Sequence, residues 1–153
     1  MNERLECATT LDACYGARPC AIAQARAEVA ALAAQHGAGE DELERVRLAV
    51  SEAVTNALMH AYGGDQSRAV QVTAAVIDGE LTVVVADDGC GLGAAKPSPG
   101  LGLGLGVISL GCDALTVLAR AGGGTQLEMR FALRDGSRGA QARGSLACAS
   151  SPA

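Results

Sequence analysis

The sequence predicts an α+β fold, a two-layer sandwich in which helices pack on one face of a mixed, mostly antiparallel sheet. Two helix-type segments come first, two pairs of strand-type segments follow, and a glycine-rich segment with a short helix separates the pairs. A turn sequence typical of hairpins joins the strands of each pair. Helices grouped apart from hairpins are characteristic of this class.

Length and composition indicate one aliphatic domain. The 153 residues suffice for one buried core, and with one Phe, two Tyr and no Trp the chain is poorly suited to stacking bases. The net charge of -5 argues against a nucleic-acid surface, which needs clustered Lys and Arg. We divide the chain into a domain, residues 1–134, and a tail, residues 135–153, whose near lack of large apolar residues predicts disorder.

Several classes of protein are disfavoured by what the sequence lacks. No stretch approaches the roughly 20 apolar residues that span a bilayer, and the N-terminus is too polar for a signal peptide. We therefore expect a soluble, cytoplasmic protein without a membrane partner. The six cysteines form no CxxC pair and have no histidine at metal-ligand spacing, so we expect reduced side chains that mostly fill apolar space.

The first half of the chain predicts a short strand near residues 5–11 and two helices. The first helix, residues 20–35, is rich in Ala and stops at His36-Gly37. The second opens at residues 39–41 and ends at Gly63-Gly64. Its apolar stripe consists of Leu43, Val46, Val50, Val54, Ala57 and Ala61.

Glu52 and Asn56 are four residues apart in the second helix. This spacing places both side chains on one helix face, which we expect to lie roughly opposite the apolar stripe. An exposed pair of this kind is usually only solvated. Its meaning therefore depends on the motifs that follow it.

The central strands deliver a carboxylate to a glycine-rich turn. Residues 69–78 and 81–86 alternate as strands do, and Asp78-Gly79 between them favours a type I′ hairpin. The second strand runs directly into Asp87, which is thereby held at the end of a rigid element. Gly89 and Gly91 leave room for a flat group to approach the backbone.

The last part of the domain begins with a loop of small residues, 93–100, that we interpret as a lid. The repeat GLGLGLG, residues 100–106, then leads into a short helix, GVISLGCDAL. Residues 114–120 and 125–133 predict a closing hairpin around residues 121–124.

Glycine-rich sequences are common, so other phosphate motifs must be tested. GxxxxGK[ST] does not occur, and Gly100, Gly102, Gly104 and Gly106 step by two, which does not match GxGxxG. The HRD and DFG sequences of eukaryotic-type protein kinases are also missing. A flexible linker is the alternative for the repeat.

Taken together and in order, SEAVTNALMHAY, DDGCGLG, GLGLGLG and the GGT at residues 123–125 resemble the GHKL ATPase superfamily, whose fold is the histidine kinase-like (Bergerat) ATPase fold. Within it, the sequence is most similar to the anti-sigma factor serine/threonine kinases of bacterial partner-switching modules. The resemblance covers residues 15–133. It implies ATP and Mg²⁺ as ligands, and a sigma factor and an anti-anti-sigma protein of the STAS type as partners. It leaves open homodimerisation, which the family often shows through its first-helix region.

The resemblance also implies roles for single residues. Asn56 would bind the Mg²⁺ that bridges the phosphates, as suits a hard ion with oxygen ligands. Asp87 would accept a hydrogen bond from the exocyclic amine of adenine, with Thr125 supporting it directly or through water. Glu52 would lie near the γ-phosphate and orient or deprotonate the attacking hydroxyl.

The glycines receive binding roles from the same resemblance. Gly89 and Gly91 would clear space for the base. The repeat, residues 100–106, would wrap the phosphates with backbone amides at a helix N-terminus, where the helix dipole favours anions. The repeat positions are Gly100, Gly102, Gly104 and Gly106.

One departure from the family pattern keeps other functions open. Some members place an arginine beside the glycine repeat, whereas here Ser98 and Pro99 precede it and the nearest cation is Lys96. A catalytically silent, ATP-gated binding module is therefore an alternative. The ATPase domain of a sensor histidine kinase is a third, although this length has no room for its phosphoacceptor helix pair. We interpret His60 as structural.

Overall fold

The computed structural model describes residues 10–61, 65, 67–89 and 101–134, with the backbone alone for residues 60, 61 and 101–103. The elements are β1 (Thr10–Gly16), α1 (Cys20–Gln35), α2 (Glu40–Asn56), a π-helical turn (Ala57–Ala61), β2 (Ala69–Ile77), β3 (Glu80–Ala86), α3 (Leu101–Gly111), β4 (Ala114–Ala119) and β5 (Thr125–Ala132). Within these ranges no helix is long and apolar enough to cross a membrane.

The strands form one sheet in the order β1-β2-β3-β5-β4, and each neighbouring pair among the described strands is antiparallel. The predicted α+β class is confirmed. The parallel pair implied by a mixed sheet does not form in this sheet. The crossover through α3 makes β4 run in the same direction as β3, but β5 lies between them and is antiparallel to both.

The core lies between the sheet and the helices. Helix α2 contacts both α1 and α3, and it supplies the fully buried Val46, Val50 and Val54. Strand β3 alternates buried and half-buried residues, so only one face of the sheet is covered. This arrangement is the predicted two-layer sandwich.

The hairpins are those that the sequence predicts. Asp78 and Gly79 have φ values of 50° and 76°, the two positive values that a type I′ turn requires. The second hairpin joins β4 to β5 through residues 120–124. Both turns are encoded locally, which is why their positions can be predicted from the sequence.

The first strand extends further along the chain than predicted. It spans Thr10–Gly16, whereas we expected a strand near residues 5–11, of which 5–9 lie outside the described residues. Its register with β2 places Leu11, Ala13 and Tyr15 on the core side. Tyr15 also donates a hydrogen bond to Glu28 of α1 at 2.6 Å, which ties this edge strand to the helix layer.

Helix α2 changes its form before its predicted end. Regular helix stops at Asn56 and continues as the π-helical turn Ala57–Ala61, and the expected stop at Gly63-Gly64 lies outside the described residues. π-helical turns frequently occur at functional sites. The predicted lid, residues 93–100, and tail, residues 135–153, also lie outside them.

The cysteines only partly behave as expected. Cys112 is buried, whereas Cys14 and Cys20 are exposed. Cys14 pairs with Gln71 on the uncovered face of the sheet, and Cys20 is the first residue of α1. The prediction that cysteines fill apolar space is therefore wrong for these two.

Candidate functional site

Asn56 is the last regular residue of α2, and its side chain is buried, with 8% exposure. We predicted an exposed position opposite the apolar stripe, which is wrong because α3 packs against α2 and covers it. A carbon added at Gly104 of α3 would lie 2.9 Å from Asn56 Oδ1 and 3.3 Å from Nδ2. The missing side chain at Gly104 thus lets the two helices approach at the amide.

The Asn56 amide is incompletely satisfied. Its Nδ2 is buried and has no hydrogen-bond partner in the described part of the chain. An unsatisfied buried donor costs about 1–3 kcal/mol, so it needs an explanation. A phosphate oxygen would provide the missing acceptor.

The same amide fits a magnesium–phosphate group. Oδ1 is a hard oxygen ligand of the kind Mg²⁺ prefers, and this ion usually completes its shell with waters and phosphates. Nowhere in the described ranges do three His, Cys, Asp or Glu side chains cluster as a protein-only metal site would require. Asn56 would therefore hold the ion together with a nucleotide.

Glu52 lies one turn before Asn56 in α2 and is half-buried. The two residues share a helix face as predicted, but they differ in solvent access. A proton acceptor for a hydroxyl brought by another protein must be reachable from outside, and Glu52 meets this requirement. Asn56 lies in the covered part of the same face.

The glycine repeat is mostly helical. We expected the helix to start at Gly106, but α3 begins at Leu101, so Gly102, Gly104 and Gly106 lie within it. The first four amides of a helix, here those of residues 101–104, have no acceptor in their own helix and can bind an anion. Gly91 and Gly100, which we also predicted to bind the nucleotide, lie outside the described residues.

Asp87 follows β3 directly and is buried. Its Oδ1 accepts hydrogen bonds from the backbone N–H groups of Gly89, at 3.0 Å, and Thr125, at 3.3 Å. In the described ranges both hydrogen bonds to this carboxylate go to Oδ1. Oδ2 is the oxygen that is left to accept a hydrogen bond from a ligand.

Thr125 supports Asp87 through its backbone. Its N–H also donates to the Asp87 main-chain oxygen at 3.2 Å, and Asp87 N–H donates to the Thr125 oxygen at 2.9 Å. These bonds continue the β3–β5 ladder by one pair. The direct support that we predicted is therefore made by the main chain.

The electrostatics of Asp87 reflect opposing influences. Burial raises the pKa of its carboxyl above the ordinary value of 3.8, and the neighbouring Asp88 acts in the same direction. The N–H groups of Gly89 and Thr125 and the charge of Arg120 lower the pKa. A carboxylate that remains ionised while desolvated is a strong hydrogen-bond acceptor.

Two residues of this site have no role in the sequence analysis. Gly124 has a φ of 97°, and a carbon added there would overlap the Asp87 main-chain oxygen and lie 2.7 Å from the Asp88 Cα. Arg120 donates from Nη1 to the same Asp87 oxygen at 3.0 Å. Gly124 belongs to the GGT at residues 123–125, whose resemblance assigned it no role, and Arg120 belongs to none of the motifs.

The chain is similar to proteins of one fold family. The sequence profile of the histidine kinase-like ATPase domain matches residues 15–131. Anti-sigma F factors from Clostridium perfringens and Geobacillus stearothermophilus are each 41% identical over 68 residues, which is 44% of this chain and 49% and 47% of theirs. The chain therefore spans about half the length of the relatives it matches.

A solved structure has a similar fold. The crystal structure of the RsbU and RsbW domains of a Mycobacterium tuberculosis protein aligns with a TM-score of 0.65 and 25% identity. The alignment covers 82% of this chain and 32% of that chain. The resemblance first seen in four short motifs thus extends over most of the described fold.

Proposed function

The chain belongs to the histidine kinase-like ATPase domain family, and from this premise we propose that it is an ATP-binding anti-sigma regulator. It holds a sigma factor and phosphorylates a serine of an anti-anti-sigma protein of the STAS type, with Mg-ATP as donor, in the cytoplasm. The similarity to anti-sigma F factors supports the class of partner. The observation that carries the nucleotide site is the buried, unsatisfied Asn56 amide against Gly104.

Asp87 recognises the base in this proposal. Its Oδ2 accepts a hydrogen bond from the adenine amine, while Oδ1 is held by Gly89 and Thr125. Gly89 and Gly91 leave room for the ring. Guanine presents a carbonyl in place of this amine, so a carboxylate here favours ATP over GTP.

The phosphates lie between α2 and α3. Asn56 Oδ1 would hold Mg²⁺, its Nδ2 would donate to a phosphate oxygen, and the amides at the start of α3 would bind further phosphate oxygens. When bound, Mg²⁺ would supply positive charge beside the phosphates. Gly104 allows the two helices to approach closely at Asn56, and we assign Gly100, Gly102 and Gly106 to the same phosphate-binding segment.

Glu52 acts on the phosphate acceptor. It orients the serine hydroxyl of the anti-anti-sigma protein and takes its proton while the serine oxygen bonds to the γ-phosphorus. The bond between that phosphorus and the β–γ bridging oxygen breaks, and ADP leaves. The half-buried position of Glu52 is compatible with access from the partner's side.

A silent, ATP-gated binding module is the second candidate. The sequence next to the repeat favours it, because Ser98 and Pro99 stand where some family members have an arginine and Lys96 is the nearest cation. In this alternative, ATP stabilises the shape that binds the sigma factor and no phosphate moves.

Phosphate transfer separates the two candidates. Labelled ATP is incubated with this protein and a candidate STAS-type protein, followed by electrophoresis and phosphosite mapping. Asn56→Ala should lose Mg-dependent ATP binding, whereas Glu52→Ala should keep ATP affinity and lose transfer, because Glu52 acts mainly in the transition state. Glu44→Ala, which removes an exposed carboxylate from the same helix, should behave as wild type.

The result for the wild-type protein decides between the kinase and the binding module. If it labels no serine yet holds its sigma factor only with ATP, the binding module is correct. If it binds no ATP, both candidates are wrong. Capture of partners with ATP and with ADP, together with light scattering to detect the proposed homodimer, identifies the complexes.

A further inference from the structure

The loop between β4 and β5 is tied to the end of β3 by one side chain. Arg120 follows β4, and its backbone closes the turn: its N–H donates to Gly124 O at 3.1 Å, and its own oxygen accepts from Gly123 N–H at 3.1 Å. Its guanidinium then reaches across to the main-chain oxygen of Asp87 at 3.0 Å. One residue thus connects the glycine turn to the residue assigned to the base.

We propose that Arg120 is a positioning residue for the nucleotide, which fixes the Asp87 peptide so that the carboxylate meets the adenine amine. This inference rests on the proposed ATP-binding function. Arg120 acts through Asp87 and needs no contact with the nucleotide itself.

Two oxygens of Asp87 share one N–H group. Thr125 N–H is divided between the main-chain oxygen of Asp87, at 3.2 Å, and its Oδ1, at 3.3 Å. A carbonyl oxygen has two lone pairs, and Arg120 occupies one of them. Without the Arg120 guanidinium, the Asp87 carbonyl would keep only the Thr125 N–H of these two donors. That N–H would then be drawn towards the carbonyl, and it would hold the carboxylate less firmly.

The geometry of the turn makes this connection specific. Gly124 packs directly against the Asp87 backbone, and a carbon added at Gly123 would lie 3.7 Å from Gly89 O. The turn therefore already lies against the segment that carries Asp87. The Arg120 side chain adds a charge-assisted hydrogen bond to a contact that is otherwise made by backbone atoms.

The charge of Arg120 has a second effect. Asp88 is the other charged group that acts on Asp87, and it ion-pairs with Arg68 at 3.9 Å. Burial and Asp88 raise the pKa of Asp87, while Arg120 lowers it. Without Arg120, the Asp87 carboxylate should therefore become protonated, and stop accepting a hydrogen bond, at a higher pH than in the wild type.

Calorimetry of ATP binding to the full chain between pH 5 and pH 8 tests the proposal. Arg120→Ala should weaken binding at neutral pH by about five- to tenfold, the loss of one partly exposed charge-assisted hydrogen bond. Its affinity should also begin to fall at a higher pH than in the wild type. Arg120→Lys should restore the wild-type pH midpoint because it keeps the charge, and Arg120→Gln should not.

Arg130→Ala is the matched control. Arg130 lies in the same hairpin and its Nη1 is 3.9 Å from Glu80, at the opposite end of β3. This variant should bind ATP as wild type does at every pH.

Three results would decide against the proposal. Equal affinities and pH profiles for Arg120→Ala and Arg130→Ala would overturn it while leaving ATP binding intact. A lower melting temperature in all Arg120 variants with an unchanged pH midpoint would show a purely structural role. A wild type that binds no ATP would instead remove the proposed function on which the inference rests.

Discussion

The two ends of the proposed nucleotide site are built differently. The adenine end, which comprises Asp87, Gly89, Gly124 and Thr125, is held by backbone hydrogen bonds that extend the β3–β5 ladder. The phosphate end, which comprises Asn56 and Gly104, joins two helices through a side-chain amide whose Nδ2 has no partner in the described ranges. One end is preformed, and the other would be completed by its ligand.

The largest effect is expected from a glycine-to-alanine substitution at the adenine end. Gly124→Ala should lower the free energy of unfolding by about 4 kcal/mol, because it combines a positive φ with overlap against main-chain atoms that cannot move aside. Gly122 is the control: its φ is 90°, but a carbon added there has nothing within 4 Å. Gly122→Ala should cost about 1–2 kcal/mol.

Chemical denaturation of both variants measures the difference. If Gly124→Ala were no more destabilising than Gly122→Ala, the adenine end would not be the rigid element that we describe.

The next largest effect concerns the ligand. Asp87→Asn should weaken ATP binding by at least about 100-fold, or roughly 2.7 kcal/mol, because it offers the adenine amine a donor in place of an acceptor. The fold should remain, since the backbone bonds around residue 87 do not depend on the charge. Calorimetry measures the affinity, and exposed Asp88 is the control, with Asp88→Asn expected within about threefold of wild type. An Asp87→Asn affinity within that same margin would show that the adenine assignment is wrong.

A smaller effect is expected at the phosphate end. Gly104→Ala should weaken Mg-ATP binding by about tenfold, or 1.4 kcal/mol, because its methyl group would press on the Asn56 amide. Its effect on stability should be small, since the gain in helix propensity of about 1 kcal/mol offsets that contact.

Gly106→Ala is the matched variant for stability. It lies in the same helix with nothing within 4 Å of an added carbon, so it should raise the free energy of unfolding by about 0.5–1 kcal/mol. If Gly104→Ala stabilised the protein equally and bound Mg-ATP normally, Gly104 would have no special relation to Asn56.

The smallest effect is a dependence of stability on pH. Burial raises the pKa of Asp87, so the folded chain binds this proton more tightly than the unfolded chain does. Asp87 therefore contributes to the free energy of unfolding below the ordinary pKa of 3.8. This contribution is lost as the pH rises through the higher pKa that the carboxyl has in the folded chain. The stability of Asp87→Asn relative to wild type should therefore increase with pH across this window. Denaturation at a series of pH values measures this difference. A relative stability of the variant that decreased as the pH rose would contradict the prediction.

Much of the fold can be predicted from the sequence because its signals are local. The Ala-rich pattern of α1, the Asp78-Gly79 turn and the alternation of β3 each depend on neighbours in the chain. The position of Asp87 at a strand end follows from the same local pattern. The burial of Asn56 could not be predicted in this way, because the covering element, α3, comes much later in the sequence.

The glycine repeat and Arg120 show the same limit. Glycine disfavours helix, so local propensity indicates an open repeat, yet the packing of α3 on α2 allows a helix that contains Gly104. Arg120 has no periodic or motif signal. Its role depends on a hydrogen bond to a residue 33 positions earlier.

The sequence by itself determined the α+β class, the two hairpins and the family, because hydrophobic periodicity, turn chemistry and ordered motifs are properties of the chain read in order. Tertiary structure alone decided the antiparallel sheet order, the close approach of Gly104 to Asn56 and the bracing of Asp87 by Gly124 and Arg120. The physical reason is that burial and hydrogen bonding between distant segments depend on which surfaces meet. Contacts between distant segments follow no regular spacing in the sequence, so the sequence pattern does not predict them.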